Sequence, residues 1–395
     1  MTYSFDQVIS REHSASAKWD GRKGKFGTED VLPMWVADMD FASPPSVIEA
    51  LARRVQHGVF GYTIRDKGYD DAIVGWFARR HQWAVEPAWV SHAPGVVPAL
   101  NYLIQALTET GDGIIIQTPV YHPFARLIRS HHRTLIESPL LEREGRYEMD
   151  FDDFEQKAAA GAKLFILCSP HNPVGRVWTR AELERVGEIC VRHGVTVIAD
   201  EIHCDLVYTP HRHIPFASIS DEFAMHAVTT VAPSKTFNIA GLNMAVVIAK
   251  NPGLRDAYRQ MLALQSAASI PALGLEALKA AYNGGDEWLD ALLDYLQGNL
   301  QLLKERLAPY APKVKVVEPE GTYLVWLDFR GLGLAREELD KFIVHDAKVG
   351  LEPGHIYGQE GAGFQRINIG CPRALLVEGL DRLTAALDRR SSDNT

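Results

Sequence analysis

Short apolar runs alternate with helical segments between residues 113 and 250, and this alternation restricts the possible folds most. The runs are GIII, LFILC, VTVIA, VTTV and AVVIA. Strands that are apolar throughout are buried on both faces, and strands that are separated by helices form a parallel sheet with helices over it. The pattern therefore predicts an α/β fold whose large domain contains a mostly parallel, helix-covered sheet.

The length of 395 residues is too great for one small core, so two domains are expected. After a helix-rich stretch over 254–307, strands at 314–317, 323–328 and 365–370 and helices near 335–347 and 374–389 predict a smaller α+β domain. We place an N-terminal arm and part of the small domain at 1–45, the large domain at 46–290, and the C-terminal small domain at 291–395.

The segment LPMWVADMDF (Leu32 to Phe41) is apolar but lies before any complete folding unit. We therefore expect it to pack against a part of the chain that is formed later. Beyond it, Ser46 is expected to cap a helix that ends at Gly58, because serine favours helix starts and glycine favours helix ends.

Composition narrows the classes of function. The chain is 46% hydrophobic and 23% charged, as in soluble globular proteins, and its net charge of -9 without a basic run argues against nucleic-acid binding. No apolar run approaches the length of a membrane span, and the N-terminus has no signal-peptide core. Four scattered cysteines without CxxC spacing are typical of reduced thiols. We expect a cytoplasmic protein that does not bind membranes.

Lys235 follows the VTTV run, just beyond Pro233, in a segment that we expect to be a loop. The end of a buried strand lies at the rim where open α/β sheets bind ligands. Partial burial there lowers the pKa of an amine and favours its neutral, nucleophilic form. A lone loop lysine is ordinarily solvated, so the interpretation depends on what the neighbouring strands provide.

Three further strands end in polar or aromatic residues, namely Tyr121, Asn172 and Asp200. Each alone also fits a turn or a surface position, but in a parallel sheet all three converge with Lys235. A pyridine aldehyde cofactor needs an amine for its aldehyde, a carboxylate for its ring nitrogen, an aromatic ring to stack on it and an amide for its phenolic oxygen. The four residues together therefore predict such a cofactor site.

The stretch HAPGVVPAL supplies a candidate phosphate anchor. Gly95 allows close backbone approach, and the amides of Val96 and Val97 open a helix whose positive end favours an anion. The hydroxyl of Ser234 can contact the same phosphate. The alternative interpretation is a plain strand–turn–helix, for which a single glycine turn is equally suitable.

Several metal-ligand residue types follow Asp200, namely His203, Cys204, Asp205, His211 and His213. Their spacing matches no closed zinc pattern, and alternate residues of a strand point to opposite faces. We therefore expect no metal site.

The motifs SPHNPVGRVW, ADEIH and APSKTFNIAGLN occur in an order and spacing that resemble the fold-type I pyridoxal 5'-phosphate (PLP) enzymes of the class I/II aminotransferase superfamily. The resemblance covers nearly the whole chain. LPMWVADMDF, FGYT, ADEIHCDLVY and FQRINIGCPR resemble the cystathionine β-lyase-type C–S lyases, the MalY/PatB group. The resemblance implies an aspartate aminotransferase-like fold and PLP as the cofactor.

The resemblance also implies a role for each site residue. Cofactor contacts are implied for Lys235 at the aldehyde carbon, Asp200 at the pyridine nitrogen, Asn172 at the 3'-oxygen and Tyr121 stacked on the ring. Arg366, in FQRINIG, matches the arginine that binds the substrate α-carboxylate, with Asn172 beside it. Tyr62 is implied to reach the phosphate of the neighbouring subunit's cofactor, which makes a homodimer with active sites at the subunit interface the functional unit.

Two departures from the aminotransferase pattern are informative. His203 stands where many aminotransferases have a tyrosine, and this substitution is a mark of the C–S lyase group. Asn243 stands where an arginine commonly contacts the phosphate, so more of the phosphate binding should depend on amides and hydroxyls.

The resulting hypothesis is α,β-elimination of cystathionine or a related cysteine S-conjugate to pyruvate, ammonia and a thiol. A class I/II aminotransferase is the first alternative, because it uses the same cofactor contacts. The second alternative is a non-catalytic, ligand-sensing protein on this fold, against which the intact lysine, aspartate and asparagine argue.

Overall fold

A computed structural model describes residues 3–393, which form fifteen strands and fourteen α-helices. The strands are β1 (Leu32–Pro33), β2 (Val90–Ala93), β3 (Gly113–Ile116), β4 (Thr134–Glu137), β5 (Leu141–Arg143), β6 (Arg146–Glu148), β7 (Leu164–Cys168), β8 (Thr196–Asp200), β9 (Ala227–Val231), β10 (Ala245–Ile248), β11 (Lys315–Val316), β12 (Leu324–Asp328), β13 (Val349–Gly350), β14 (Glu352–Pro353) and β15 (Phe364–Asn368). The helices are α1 (Arg22–Phe26), α2 (Pro45–His57), α3 (Lys67–His81), α4 (Val96–Leu107), α5 (Pro123–Ser130), α6 (Phe151–Ala159), α7 (Arg180–His193), α8 (Asp221–Met225), α9 (Pro233–Thr236), α10 (Pro252–Leu264), α11 (Ala272–Gly284), α12 (Asp286–Leu307), α13 (Arg336–Lys341) and α14 (Arg373–Asp393). Within the described range, no helix is both long enough and apolar enough to cross a membrane.

Seven strands form the central sheet, in the order β2-β10-β9-β8-β7-β3-β4. The five strands from β9 to β4 run parallel, and β10 is antiparallel to both of its neighbours. Every residue of β7 and β9 is buried, as expected for strands covered by helices on both faces. The predicted α/β class with a mostly parallel sheet is confirmed.

The strand register brings the carboxyl ends of the central strands to one edge. Cys168 at the end of β7 pairs with Asp200 at the end of β8, and Asp200 pairs with Thr230 near the end of β9. The segments that follow these three strands therefore begin side by side.

A second sheet, in the order β11-β12-β15-β14, is antiparallel and forms the smaller α+β unit. Helices α12 and α14 pack together beside it. Helix α12 continues from Asp286 to Leu307, so it spans the predicted boundary at residue 290. The three domain ranges therefore stay a prediction.

The early apolar segment packs against the C-terminal part of the chain, as expected. Strand β1 pairs in parallel with β13, and the side-chain amide of Asn368 donates to the carbonyl oxygens of Val36 and Asp38, at 2.6 Å each. Residues that precede the segment also hold it: the buried ammonium of Lys18 lies 2.5 Å from a carboxylate oxygen of Asp40.

Two local predictions need correction, and one hairpin was missed. Ser46 does not cap α2, because the helix already begins at Pro45, whose fixed φ suits the first helical position; the end of the helix at Gly58, with φ of 76°, is as predicted. The expected loop around Lys235 is the single helical turn α9, which Pro233 opens. The hairpin of β5 and β6 was not predicted, because its strands are mostly polar.

Candidate active site

The ends of the central strands and the start of α4 enclose a cavity of about 230 Å³. Nine of the predicted site residues line it, and they come from five separate segments of the chain. These nine residues are Gly95, Val96, Val97, Tyr121, Asn172, Asp200, His203, Ser234 and Lys235. The convergence that the four strand ends predicted is therefore observed.

Lys235 is half-buried in the turn α9, at the wall of the cavity. Its Nζ donates a hydrogen bond of 2.6 Å to the carbonyl oxygen of Ala37, in the early apolar segment. Burial lowers the pKa of the amine to about 8, and the positive charge of Arg366 acts in the same direction, whereas Asp38 opposes it. The neutral, nucleophilic fraction of the amine near neutral pH is therefore far larger than that of a solvated lysine.

Asp200, the last residue of β8, is 3% exposed and forms no ion pair within the described residues. One carboxylate oxygen accepts a hydrogen bond of 3.2 Å from the amide of Ile202. Burial raises the pKa of the carboxyl to about 7. A protonated ring nitrogen beside this group would supply the positive partner that the buried carboxylate lacks.

Arg366 reaches the site from β15 of the smaller sheet. Its guanidinium donates to Oδ1 of Asn172 at 3.0 Å and to the carbonyl oxygen of Trp35 at 2.8 Å. The Nε of Arg366 is buried and has no hydrogen-bond partner among the described residues. A guanidinium with free donors suits a carboxylate, which it can bind through two parallel hydrogen bonds.

His203 is buried at the cavity wall, and its Nδ1 has no hydrogen-bond partner within the described part of the chain. Burial lowers the pKa of its imidazole to about 3, and the charges of Lys235 and Arg366 lower it further. The ring is therefore neutral at physiological pH, and it presents an uncharged surface to the cavity.

The metal-ligand residue types after Asp200 do not gather as one cluster. Cys204 and Asp205 come together with His81 instead, with ligand atoms within 4.8 Å of one another. The carboxylate of Asp205 already accepts hydrogen bonds from Trp76 (3.0 Å), His81 (2.7 Å) and Thr236 (2.8 Å). These bonds tie α3 and the lysine turn to one buried carboxylate.

Tyr62 does not line the cavity of its own chain and is fully exposed, in the segment between α2 and α3. Two contacts were not predicted at all. They are the carbonyl of Ala37, which accepts from Lys235, and the hydroxyl of Tyr323, which donates to the same carbonyl at 3.0 Å. The LPMWVADMDF motif pointed to this segment, but a backbone acceptor has no signature in sequence.

The family model for aminotransferase class I and II matches residues 29–383. The chain belongs to this family. It is 46% identical to "Cystathionine beta-lyase PatB" of Bacillus subtilis, over 97% of this chain and 100% of that protein. It is 39% identical to "Protein MalY" of Escherichia coli, over 98% and 99%. The predicted resemblance to the MalY/PatB group is confirmed.

Among solved structures, cystalysin from Treponema denticola, which contains a PLP cofactor, matches with a TM-score of 0.96 and 37% identity, over 98% of this chain and 100% of that chain. PLP is accordingly the cofactor of this chain, as a member of the class I and II aminotransferase family.

The cavity fits the groups of PLP. The unpaired buried carboxylate of Asp200 suits the pyridine nitrogen, the amine of Lys235 suits the aldehyde, and the ring of Tyr121 lies in the same wall. Helix α4 begins at Val96, so its first amides face the cavity without helical acceptors, as a phosphate requires. Asn243 also lines the cavity, so an amide stands where the family commonly has a guanidinium.

Proposed function

We propose that this chain is a PLP-dependent carbon–sulfur β-lyase, which eliminates a thiol from cystathionine or a related cysteine S-conjugate and releases pyruvate and ammonia. The observation that carries the proposal is the full-length, 46% identity to a protein named cystathionine beta-lyase, in a chain whose cavity holds the complete lysine, aspartate and asparagine set. That set argues against a protein that only senses a ligand.

PLP, when bound, supplies an electron-withdrawing ring that accepts the electron pair left behind when the substrate Cα loses its proton. Asp200 keeps the pyridine nitrogen protonated, because its carboxylate is buried and gains from a positive partner. The amine of Lys235, with its pKa lowered to about 8, takes the Cα proton. The carbonyl of Ala37, 2.6 Å from Nζ, holds the resulting ammonium.

Arg366 binds the substrate α-carboxylate through its free donors, and its hydrogen bond to Asn172 fixes the plane of the guanidinium. This contact orients the Cα–H bond toward Lys235. When the thiolate leaves from Cβ, the ammonium of Lys235 is positioned to return a proton to the sulfur. The released enamine then hydrolyses in water to pyruvate and ammonia.

The phosphate of PLP is held by the amides of Val96 and Val97, close to Gly95, and by the hydroxyl of Ser234. A Cβ at Gly95 would lie 3.3 Å from Cδ of Pro98, so a side chain there would crowd the start of the helix. The neutral ring of His203 lies in the same wall and adds no charge.

The functional unit that we propose is a homodimer in which Tyr62 contacts the phosphate in the partner subunit. The segment between α2 and α3 carries four large, strongly exposed side chains: Val59 (62%), Phe60 (56%), Tyr62 (102%) and Ile64 (80%). Clustered exposed apolar groups are typical of a surface that another protein covers.

A cytoplasmic location of the protein is supported by its four buried cysteines, all of which are free thiols.

The decisive experiment measures pyruvate release from L-cystathionine by the purified protein with added PLP and without a 2-oxo acid. Steady, multiple-turnover pyruvate with an equal amount of thiol supports the lyase. Transfer of the amino group only after a 2-oxo acid is supplied would show an aminotransferase instead. Lys235→Ala should abolish the lysine-dependent visible absorbance and pyruvate release, whereas the exposed Lys67→Ala should retain both.

A further inference from the structure

A second cavity, of about 450 Å³, adjoins the first. It lies between α5, the edge of the central sheet at β4, and the segment 355–362 of the smaller unit, and Tyr121 lines both cavities. Tyr357 also lines it, with its ring centroid 5.3 Å from the guanidinium carbon of Arg366. The second cavity therefore lies beside the residues that we propose to bind the substrate.

Three charged residues line this cavity, and none of them forms an ion pair with another residue in the range 3–393. Arg129 forms no ion pair within residues 3–393, and the guanidinium of Arg336 contacts only the imidazole of His355, at 2.6 Å. Glu137, on the exposed edge strand β4, likewise has no cationic partner among the described residues. Two guanidinium groups and one carboxylate without an ionic partner among the described residues thus line one cavity, and all three residues are exposed to solvent.

Two buried hydroxyl groups in the wall point to the same conclusion. Oγ1 of Thr118 and the hydroxyl oxygen of Tyr357 have no hydrogen-bond partner among the described residues, and both Thr118 and Tyr357 are only 2% exposed. Buried polar groups are nearly always satisfied, so each such group calls for a partner that binds there. The wall therefore offers both charge and hydrogen bonds to a small polar ligand.

We propose that this second cavity binds the zwitterionic α-amino-acid group of a small molecule. Arg129 and Arg336 bind its carboxylate, and Glu137 binds its ammonium. The group has two possible sources, which are the far end of the substrate in the first cavity or a separate amino acid. The first source rests on the proposed lyase function. It implies that the preferred substrates are those whose leaving thiol carries a second amino-acid group.

The test compares L-cystathionine, whose leaving thiol carries an amino-acid group, with S-methyl-L-cysteine, whose leaving thiol does not. Arg336→Gln and Arg129→Gln should each lower kcat/KM for L-cystathionine about tenfold and leave kcat/KM for S-methyl-L-cysteine unchanged. Lys341→Gln, on the same helix as Arg336 but outside this cavity, should change neither value. This pattern supports the far end of the substrate as the ligand.

A separate amino acid would give a different pattern. Both arginine variants would then leave the ratio of the two kcat/KM values unchanged. Calorimetric titration of the wild-type holoenzyme with L-homoserine would nevertheless show a binding event that Arg336→Gln removes and Lys341→Gln retains. Equal ratios together with identical calorimetric titrations in all variants would overturn the proposal.

Failure of the lyase function is a distinguishable outcome. If the wild type releases pyruvate from neither substrate, the proposed function is wrong, and the same L-homoserine titrations still decide whether Arg336 and Arg129 form a binding site. Loss of binding in both arginine variants but not in Lys341→Gln would then support the cavity on its own.

Discussion

The carboxyl of Asp200 is buried and forms no ion pair within the described residues, so its protonation contributes to the way in which the stability of the ligand-free protein depends on pH. Its pKa rises from 3.8 to about 7 on folding, so between these values the folded state binds more protons than the unfolded state. The contribution of Asp200 to the free energy of unfolding of the ligand-free protein should consequently fall as pH rises from about 4 to about 7.

Asp200→Asn removes this titrating group, so the difference in thermal midpoint between the variant and the wild type should change with pH over the same range. Thermal unfolding of both ligand-free proteins at several pH values measures the difference, which should favour the variant increasingly as pH rises. Asp152→Asn, at a 90% exposed side chain, is the matched control and should follow the wild type. Parallel curves for all three proteins would contradict the assignment.

Lys235 must be neutral to combine with the cofactor aldehyde, and burial lowers its pKa to about 8. The rate at which the ligand-free protein combines with PLP should therefore rise with pH from about 7 and level off above about 8, because the neutral amine then predominates. Stopped-flow absorbance at saturating PLP measures this rate. A rate that keeps rising steadily toward pH 10 would show that the amine is not desolvated as described.

Among the elements, the single turn α9 is linked to the buried core by a side-chain hydrogen bond. The hydroxyl of Thr236, next to the lysine, donates to the buried carboxylate of Asp205 at 2.8 Å. Thr236→Val leaves a buried carboxylate oxygen short of a donor, so it should lower the free energy of unfolding by about 1–3 kcal/mol.

Urea unfolding of the ligand-free protein measures this change. Thr134→Val, which removes an exposed hydroxyl bonded to the carbonyl of Gly111 at 2.9 Å, is the control and should change stability little. Equal losses in the two variants would mean that the bond to Asp205 does not hold the turn.

The same elements show how far sequence reasoning extends. Apolar strands and their polar ends were predictable, because burial on both faces and parallel order follow from local pattern. The carbonyl of Ala37 and the bond from Arg366 to Asn172 were not, because they join residues 198 and 194 positions apart. Such contacts depend on the packing of the two sheets, which no local pattern contains.

At the scale of the whole molecule, the proposed sharing of active sites between two subunits makes a specific prediction for mixtures of inactive variants. Tyr62→Ala and Lys235→Ala should each be inactive or nearly so. After the two are unfolded together and refolded with PLP, about half of the dimers are hybrids, and each hybrid has one complete site of two. Activity should therefore recover to about a quarter of the wild-type value.

Pyruvate release from the refolded mixture measures this recovery, with each variant refolded alone as the control. A mixture that is no more active than its components would show that Tyr62 does not serve the partner's site. A hybrid that forms without recovery, detected by an affinity tag on one variant, would locate the error in the role of Tyr62 and not in dimer formation.

The early segment around Ala37 contacts Lys235, and its neighbours contact Asn368 and Arg366 near the other end of the chain. During synthesis on the ribosome, the segment around Ala37 therefore lacks these C-terminal partners until β15 has emerged. A nascent chain that has completed only its central sheet still lacks Arg366, the proposed carboxylate-binding residue, and Asn368, which holds the neighbours of Ala37. We therefore expect competent capture of the cofactor only after β15 has emerged.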